Sequence, residues 1–589
     1  MRTSRFDPVN LFCFLPAVAA LIWNRGNDFL ESQAIVLGLV LISGLFVRQR
    51  RVLALPGLSN PLRRWSRKPA IAALIPAVVS ALLRVSLLPW IPRPHPVVPD
   101  EFSHLFLAKT LLLGRLANPP HVLWRHFETI HIISQPTFSS MYLPGQAVFL
   151  TIGKLLSKDY FAGVLLSTAF FCAALNWFLR AYVPPGWALF GSVLAAVRIG
   201  AASYWNDSFW GGSVAALGAT LMLGAYPRIL RRWDVLNTVA FSSGIILLGN
   251  TRPYEGAGLI VVLIAALVIN AARSTGWRSA KVAPSIAIAS FLLGGAGWAM
   301  TRQFKAVTGD PFTLPYTVNF RTYGWPTTLP WMKTQQINYT HPEFRAYQKF
   351  EAEEHKKITT PRQIPWEFLA KGIMYWRFYF GFILTGVLIY TDRILASARS
   401  RVVWLCGLAV LVQTMTEQSG YPHYAAAAAP VFFLFITQGL RRLMRCRPKG
   451  VMCGPLIVFA TIPMMLLIIG VRIVAMPLSS RPPDVPDWVS WCCKDTRRVD
   501  RTSLVARIES EPGEHLVFIR YDPTTYANCE WVYNEPDIDH ARIIFARDMG
   551  FASNGQLVNF YPNRRVWRVF VLDRTPTIVY DSGSVEGRH

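Results

Sequence analysis

Acidic residues are scarce in this chain. Only 34 of its 589 residues are Asp or Glu, against 60 Lys or Arg, and charged residues of both signs make up 16% where hydrophobic ones make up 52%. That balance excludes a large soluble enzyme and points to a polytopic membrane protein. Cysteine is sparse too, at eight residues with no metal-binding spacing. Cys13, Cys172 and Cys406 lie in apolar runs and Cys446 and Cys453 flank a basic turn, so they read as small hydrophobic residues. Cys492, Cys493 and Cys529 allow one disulfide and one thiol, and the sequence does not say which pair joins. A small-residue cleavage site is missing after the apolar stretch behind Arg2 and Arg5, so that stretch is expected to persist as a first helix. The net charge of +26 comes without a basic and aromatic module of a nucleic-acid binder, which argues against nucleic acid as a partner.

What the chain does have is a series of apolar runs. They occur at 11–23, 34–47, 71–90, 160–179, 187–204, 213–226, 235–248, 257–270, 282–300, 373–390, 402–416, 425–440 and 456–474. Window length and basic flanks give about thirteen crossings. Arginine and lysine gather in alternate short turns: Arg48, Arg50 and Arg51; Arg228, Arg231 and Arg232; Arg273, Arg278 and Lys281; Arg441, Arg442, Arg445, Arg447 and Lys449. With the N-terminus cytoplasmic, every one of these turns falls on the cytoplasmic side and the C-terminus falls outside. This requires the short segment 143–156 to lie on the outer surface rather than cross. The expected fold class is a polytopic α-helical membrane protein, residues 1–475, with external loops 91–142 and 301–371. A small α/β soluble domain, 476–589, follows outside the membrane. Its expected strands are 515–520, 542–546 and 566–572, and its expected helices 504–508 and 538–541.

Four external segments hold the candidate site. Asp100 and Glu101 open the first loop just past an apolar helix; Asp100 is suited to act as a general base, and Glu101 to orient an acceptor or hold a water. The alternative for Asp100 is an N-cap for a helix starting at Phe102. The same loop carries His104, His121, His126, Glu128 and His131, whose spacing fits no sharp metal signature, so no cofactor is called for, with a divalent metal as the open alternative. Arg198 lies near the outer end of its helix and Asp207 in the turn after it, each with a structural alternative: snorkelling for Arg198, a helix cap for Asp207. Arg252 stands on the external side against the prevailing charge bias, a position a phosphate explains, with Glu255 either orienting it or forming an ordinary ion pair. His423 and Tyr424 stand at an external helix end, as sugar or diphosphate contacts or as part of an aromatic belt.

With an Asp-Glu pair in its first large external loop and later polar motifs on the same face, the chain resembles the GT-C superfamily of integral-membrane glycosyltransferases. Within it, the arrangement looks like the protein mannosyltransferase and lipid A aminoarabinose transferase branches. The likeness covers most of residues 70–475. It implies a polyprenyl-phosphate-linked sugar as donor, an external glycan, lipid or protein as acceptor, and membrane lipids around the chain. It also implies inversion at the anomeric carbon, with Asp100 as base and the lipid phosphate leaving. No signal in the sequence separates a bacterial inner membrane from an endoplasmic reticulum; the compact loops alone favour the bacterial inner membrane, with the tail periplasmic. Two extra helices before the loop-bearing one, the Trp205-Asn206-Asp207-Ser208 turn and the tail match no motif of the family. The rival readings are a transporter or flippase of lipid-linked substrates, whose paired repeats and interrupted helices are missing here, and a non-catalytic scaffold.

Overall fold

The computed structural model describes residues 56–273, 282–446, 453–475, 491–493, 501–522, 530–572 and 575–581. The two expected spans before residue 56, several basic residues of the cytoplasmic turns and Cys529 lie outside them. Every expected span from residue 71 onward falls on a helix. Among the described residues, seven helices are long and apolar enough to cross a membrane: Pro69–Ser86, Phe161–Leu179, Pro253–Arg273, Val282–Thr308, Ile364–Leu395, Tyr424–Leu443 and Gly454–Val474. Shorter helices Pro185–Arg198, Gly212–Ile229, Val235–Gly249 and Arg401–Thr416 pack among them. The chain is a polytopic helical membrane protein.

Small residues set how closely these helices approach. A Cβ on Gly153 would stand 2.1 Å from the backbone nitrogen of Gly163, and one on Gly224 2.2 Å from the Trp177 ring, so only glycine fits either crossing. At the end carrying the basic turns, arginines close off helix C-termini by donating to free carbonyls. Arg180 donates to Ser66 O at 2.5 Å, Arg228 to Trp177 O at 2.7 Å and Arg442 to Arg393 O at 3.0 Å.

The segment 143–156 forms a helix, Gly145–Ser157, that buries Phe149 and Leu150 while Leu155 and Leu156 stay exposed. The loop expected at 301–371 is largely helical. The helix before it runs eight residues further than expected, to Thr308, and Pro315–Tyr323 and Pro342–Thr359 follow. The latter has eight charged residues among its 18, with buried Phe344, Tyr347, Glu351 and His355 on its inner face, a pattern that apolar windows pass over.

Two short strands, β1 (Ile132–Ile133) and β2 (Ser139–Ser140), pair antiparallel within the first loop. The tail builds a four-stranded sheet from β3 (His515–Tyr521), β4 (Ile543–Arg547), β5 (Arg565–Leu572) and β6 (Thr575–Asp581), in the order β4-β3-β5-β6. The first three are parallel and β6 is antiparallel on the edge. The three expected strands form, and β6 was not anticipated. The helix Arg501–Glu509 covers 504–508, but 538–541 is a turn, and the second helix is instead Phe551–Phe560, whose Asn554 and Gly555 weaken its helical signature. Cys492 and Cys493 form a disulfide with each other, and Cys493 N donates to Ala202 O at 2.9 Å.

One face of the sheet packs directly on the segment 91–142. Phe106, Phe127, Ile132 and Phe138 share a core with Leu516, Phe518, Tyr533 and Ile544. Phe102 stacks on Tyr533 with ring centres 4.0 Å apart. Arg547, at the end of β4, donates through Nε to Glu128 O at 2.7 Å, pairs with the Glu530 carboxylate and lies over the Phe344 ring.

Candidate functional site

Asp100 stands in the first turn of the helix Pro99–Leu112, and it is not the cap. That task falls to Glu101, whose Oε2 accepts from Val97 N at 2.9 Å and Val98 N at 3.3 Å, while Oε1 accepts from Phe209 N at 2.9 Å. Glu101 is therefore used up by backbone donors and pins the 206–212 turn to the start of this helix. It does not face an acceptor, contrary to expectation, because three N–H groups need its oxygens.

With the capping done by its neighbour, Asp100 points elsewhere. Its Oδ1 accepts a hydrogen bond from the Tyr142 hydroxyl, and its Oδ2 lies 3.8 Å from His131 Nδ1, beyond hydrogen-bond range. The side chain stays 25% exposed. Around it stand rings: His104 stacks on Tyr142 at 4.5 Å, and Tyr142 meets Tyr316 edge-on at 5.6 Å. Burial pushes the His104 imidazole down to about 3, against the pull of Asp100 and helped by Arg252 and His131, so it is neutral at physiological pH.

Arg252 stands within electrostatic reach of His104 and Tyr316. It lies over the Tyr424 ring at 4.1 Å and reaches Glu255 Oε1 at 3.4 Å, a long contact that leaves most of its donors uncommitted. Tyr316 and Tyr424 both stand within electrostatic reach of Asp100 and of Arg252, so the carboxylate and the guanidinium have these rings as common neighbours. Glu417, buried with neither carboxylate oxygen hydrogen-bonded, lies within the same reach of Arg252 and Glu255. Tyr424 thus joins the site. His423 lies behind it, held by Tyr204, whose hydroxyl accepts from His423 N and meets Nδ1, both at 2.9 Å, and by Trp210 at 4.5 Å.

The remaining candidates are taken by the scaffold. Asp207 forms a buried ion pair with Arg84 at 2.9 Å, and Arg84 also donates to Ile91 O at 2.9 Å and Pro92 O at 2.7 Å. Arg198 donates to Phe378 O at 2.9 Å and Arg377 O at 2.8 Å and lies under Trp491 at 4.2 Å. Its partners are the carbonyls of a wide helical turn, Trp376–Phe380, so it closes an irregular backbone rather than a ligand site. Asp207 is thus held by Arg84, and Arg198 spends Nε and one Nη on carbonyls while its Nη1 is buried without a hydrogen bond. Among the described residues, no group of three or more His, Cys, Asp or Glu side chains is arranged to hold a metal ion.

No family model and no curated protein matches the chain. Solved structures do. The chain is similar to the oligosaccharyltransferase of Archaeoglobus fulgidus in complex with Zn and sulfate, at 12% identity over 85% of this chain and 68% of that one, with a TM-score of 0.44. It is also similar to ArnT from Cupriavidus metallidurans. In the apo state the match has 12% identity, covers 83% of this chain and 92% of that one, and has a TM-score of 0.45. For ArnT bound to undecaprenyl phosphate the values are 11%, 84%, 93% and 0.46.

Reading the sequence missed Tyr142, Tyr316, Tyr347 and Glu417 around Asp100 and Arg252, and Arg84 as the partner that holds Asp207. Tyrosines at external helix ends look like interface anchors in sequence. The one available signal was Arg84, a charge inside an otherwise apolar helix.

Proposed function

We propose that this chain is a membrane glycosyltransferase of the GT-C type, with residues 1–475 as its membrane part, thirteen crossings and a periplasmic sheet domain over 476–589, set in a bacterial inner membrane. It moves a sugar from a polyprenyl-phosphate donor to a hydroxyl of a glycan, lipid or protein acceptor on the external face. The acceptor oxygen attacks the anomeric carbon, the bond from that carbon to the phosphate oxygen breaks with inversion, and Asp100 takes the acceptor proton on Oδ2. Arg252 binds the lipid phosphate and stabilises its charge as it leaves, with Tyr424 beneath the guanidinium and Glu255 steering it. What supports the reading is that, outside the spanning helices, one partly exposed carboxylate whose second oxygen is open and one half-buried arginine with donors to spare both lie within electrostatic reach of Tyr316 and Tyr424.

The test is transfer from radiolabelled polyprenyl-phosphate sugars by purified protein in lipid, with an envelope extract as acceptor source. Asp100→Asn is expected to lower turnover by roughly 10²- to 10⁴-fold, the usual contribution of a general base, with the fold intact. Unchanged turnover removes Asp100 from the chemistry. A folded wild type that transfers from no donor moves the function to transport.

A further inference from the structure

Asp100 is the end of a chain of hydrogen bonds that reaches back across the first loop into the helix Pro342–Thr359. The Tyr142 hydroxyl touches Asp100 Oδ1 and stands 3.2 Å from His131 Nδ1; His131 Nε2 stands 3.1 Å from the Tyr347 hydroxyl. The directions follow from counting protons. An ionised carboxylate only accepts, so the single phenolic proton of Tyr142 goes to Asp100. The Tyr142 oxygen then receives from His131, which requires a proton on Nδ1. A neutral imidazole carries one N–H, so Nε2 is a lone pair and Tyr347 donates to it. Burial lowers the basicity of His131 and pushes both phenols up, which keeps the ring neutral and the phenolic protons in place.

The backbone of His131 is fixed as firmly as its ring. Its φ is +63°, in the left-handed region that non-glycine residues seldom occupy. Its carbonyl accepts from Ser103 Oγ at 2.7 Å and from Met141 N at 3.3 Å. Ser103 lies one turn beyond Asp100 on the same helix, so a single helix presents the carboxylate and grips the residue that orders it. Strained residues over-determined in this way cluster at functional sites.

We propose that His131 is a positioning residue for Asp100: locked as its Nδ1–H tautomer by Tyr347, it orients the Tyr142 hydroxyl so that Oδ1 is held and Oδ2 is left open to take the acceptor proton. This rests on the reading of Asp100 as the base, and two measurements separate the two claims. Nitrogen-15 resonances of histidine-labelled protein, with His131 assigned by its loss in a variant, report the tautomer without any turnover. A protonated Nδ1 and bare Nε2 are expected, and the reverse overturns the chain. In the transfer assay, His131→Asn and His131→Gly both accept the left-handed backbone, but only Asn offers an N–H where Nδ1–H stood. His131→Gly is expected to lower kcat by roughly 10- to 100-fold, the equivalent of one hydrogen bond in a charge-assisted chain. His131→Asn should restore most of that loss, with donor KM unchanged in both. Equal kcat in the two variants overturns the positioning role. Absence of transfer in the wild type, with the Nδ1–H tautomer present, brings down the enzyme reading and this role with it but leaves the chain standing.

Discussion

Two sets of charges in this molecule look alike in sequence and differ in the structure. Arg84, Asp207 and Arg198 lie inside the helical part, fully or almost fully buried, and each is bound by backbone carbonyls or by the opposite charge. Glu101 belongs with them, its oxygens taken by three backbone N–H groups. Asp100 and Arg252, beyond the ends of the spanning helices, keep capacity in hand: an open oxygen on one, and on the other a 3.4 Å contact and a ring. The lesson is that a charge near a membrane surface is a site candidate in proportion to the hydrogen bonds it has left over. Charge position alone ranks all six the same.

The sharpest way to break this comparison is Arg84→Ala. Removing one partner leaves Asp207 as an uncompensated buried charge, expected to cost about 3–5 kcal/mol of stability. Unfolding in detergent followed by tryptophan fluorescence reads it, with Asp100→Ala as the control that should barely move. If Arg84→Ala melts like the wild type, Asp207 is not held as described. Next comes Arg252. Arg252→Ala is expected to raise donor KM by roughly 10- to 100-fold, the loss of hydrogen bonds to a charged phosphate, and Arg252→Lys by less, since a lysine keeps charge without the bidentate fork. Wild-type KM in both variants would take Arg252 out of the site.

Glu101→Ala sharpens the contrast between neighbours. It should destabilise by about 1–3 kcal/mol by orphaning the buried Phe209 N–H, whereas Asp100→Asn acts on turnover; a Glu101 variant of normal stability and lost kcat would return Glu101 to the chemistry. The last test is a pH dependence. Burial pushes the Glu351 carboxyl from its ordinary 4.5 up to about 7. Between those values the folded chain holds a proton that the unfolded chain has released, so this group makes stability fall as pH rises through that window. Glu351→Gln should flatten that slope in melting temperatures taken from pH 4 to 8. An identical slope would show that Glu351 ionises freely.

Much of the helical part was legible because apolar length and basic flanks are local properties, and β3, β4 and β5 because β-branched and aromatic runs are. Asp100 was legible as an acid exposed by a helix end. The division between Asp100 and Glu101 was not, since it depends on where Val97, Val98 and Phe209 present their N–H groups. Asp207 and Arg198 were misplaced for the same reason: their partners, Arg84 and the carbonyls of Arg377 and Phe378, lie 123 to 180 positions away. The chain from Tyr347 through His131 and Tyr142 joins segments separated by 216, 11 and 42 positions, and no window spans those.

The bond from Arg547 to the carbonyl of Glu128 links positions 419 apart. Glu128 lies three residues before His131, in the loop that carries Asp100 into its setting. During synthesis that loop is made early, hundreds of residues before the ribosome reaches Arg547. That anchor arrives only after the helices between the two positions have been made, so the helical part is assembled first and the setting of Asp100 is tightened afterwards, by a contact of very high sequence separation.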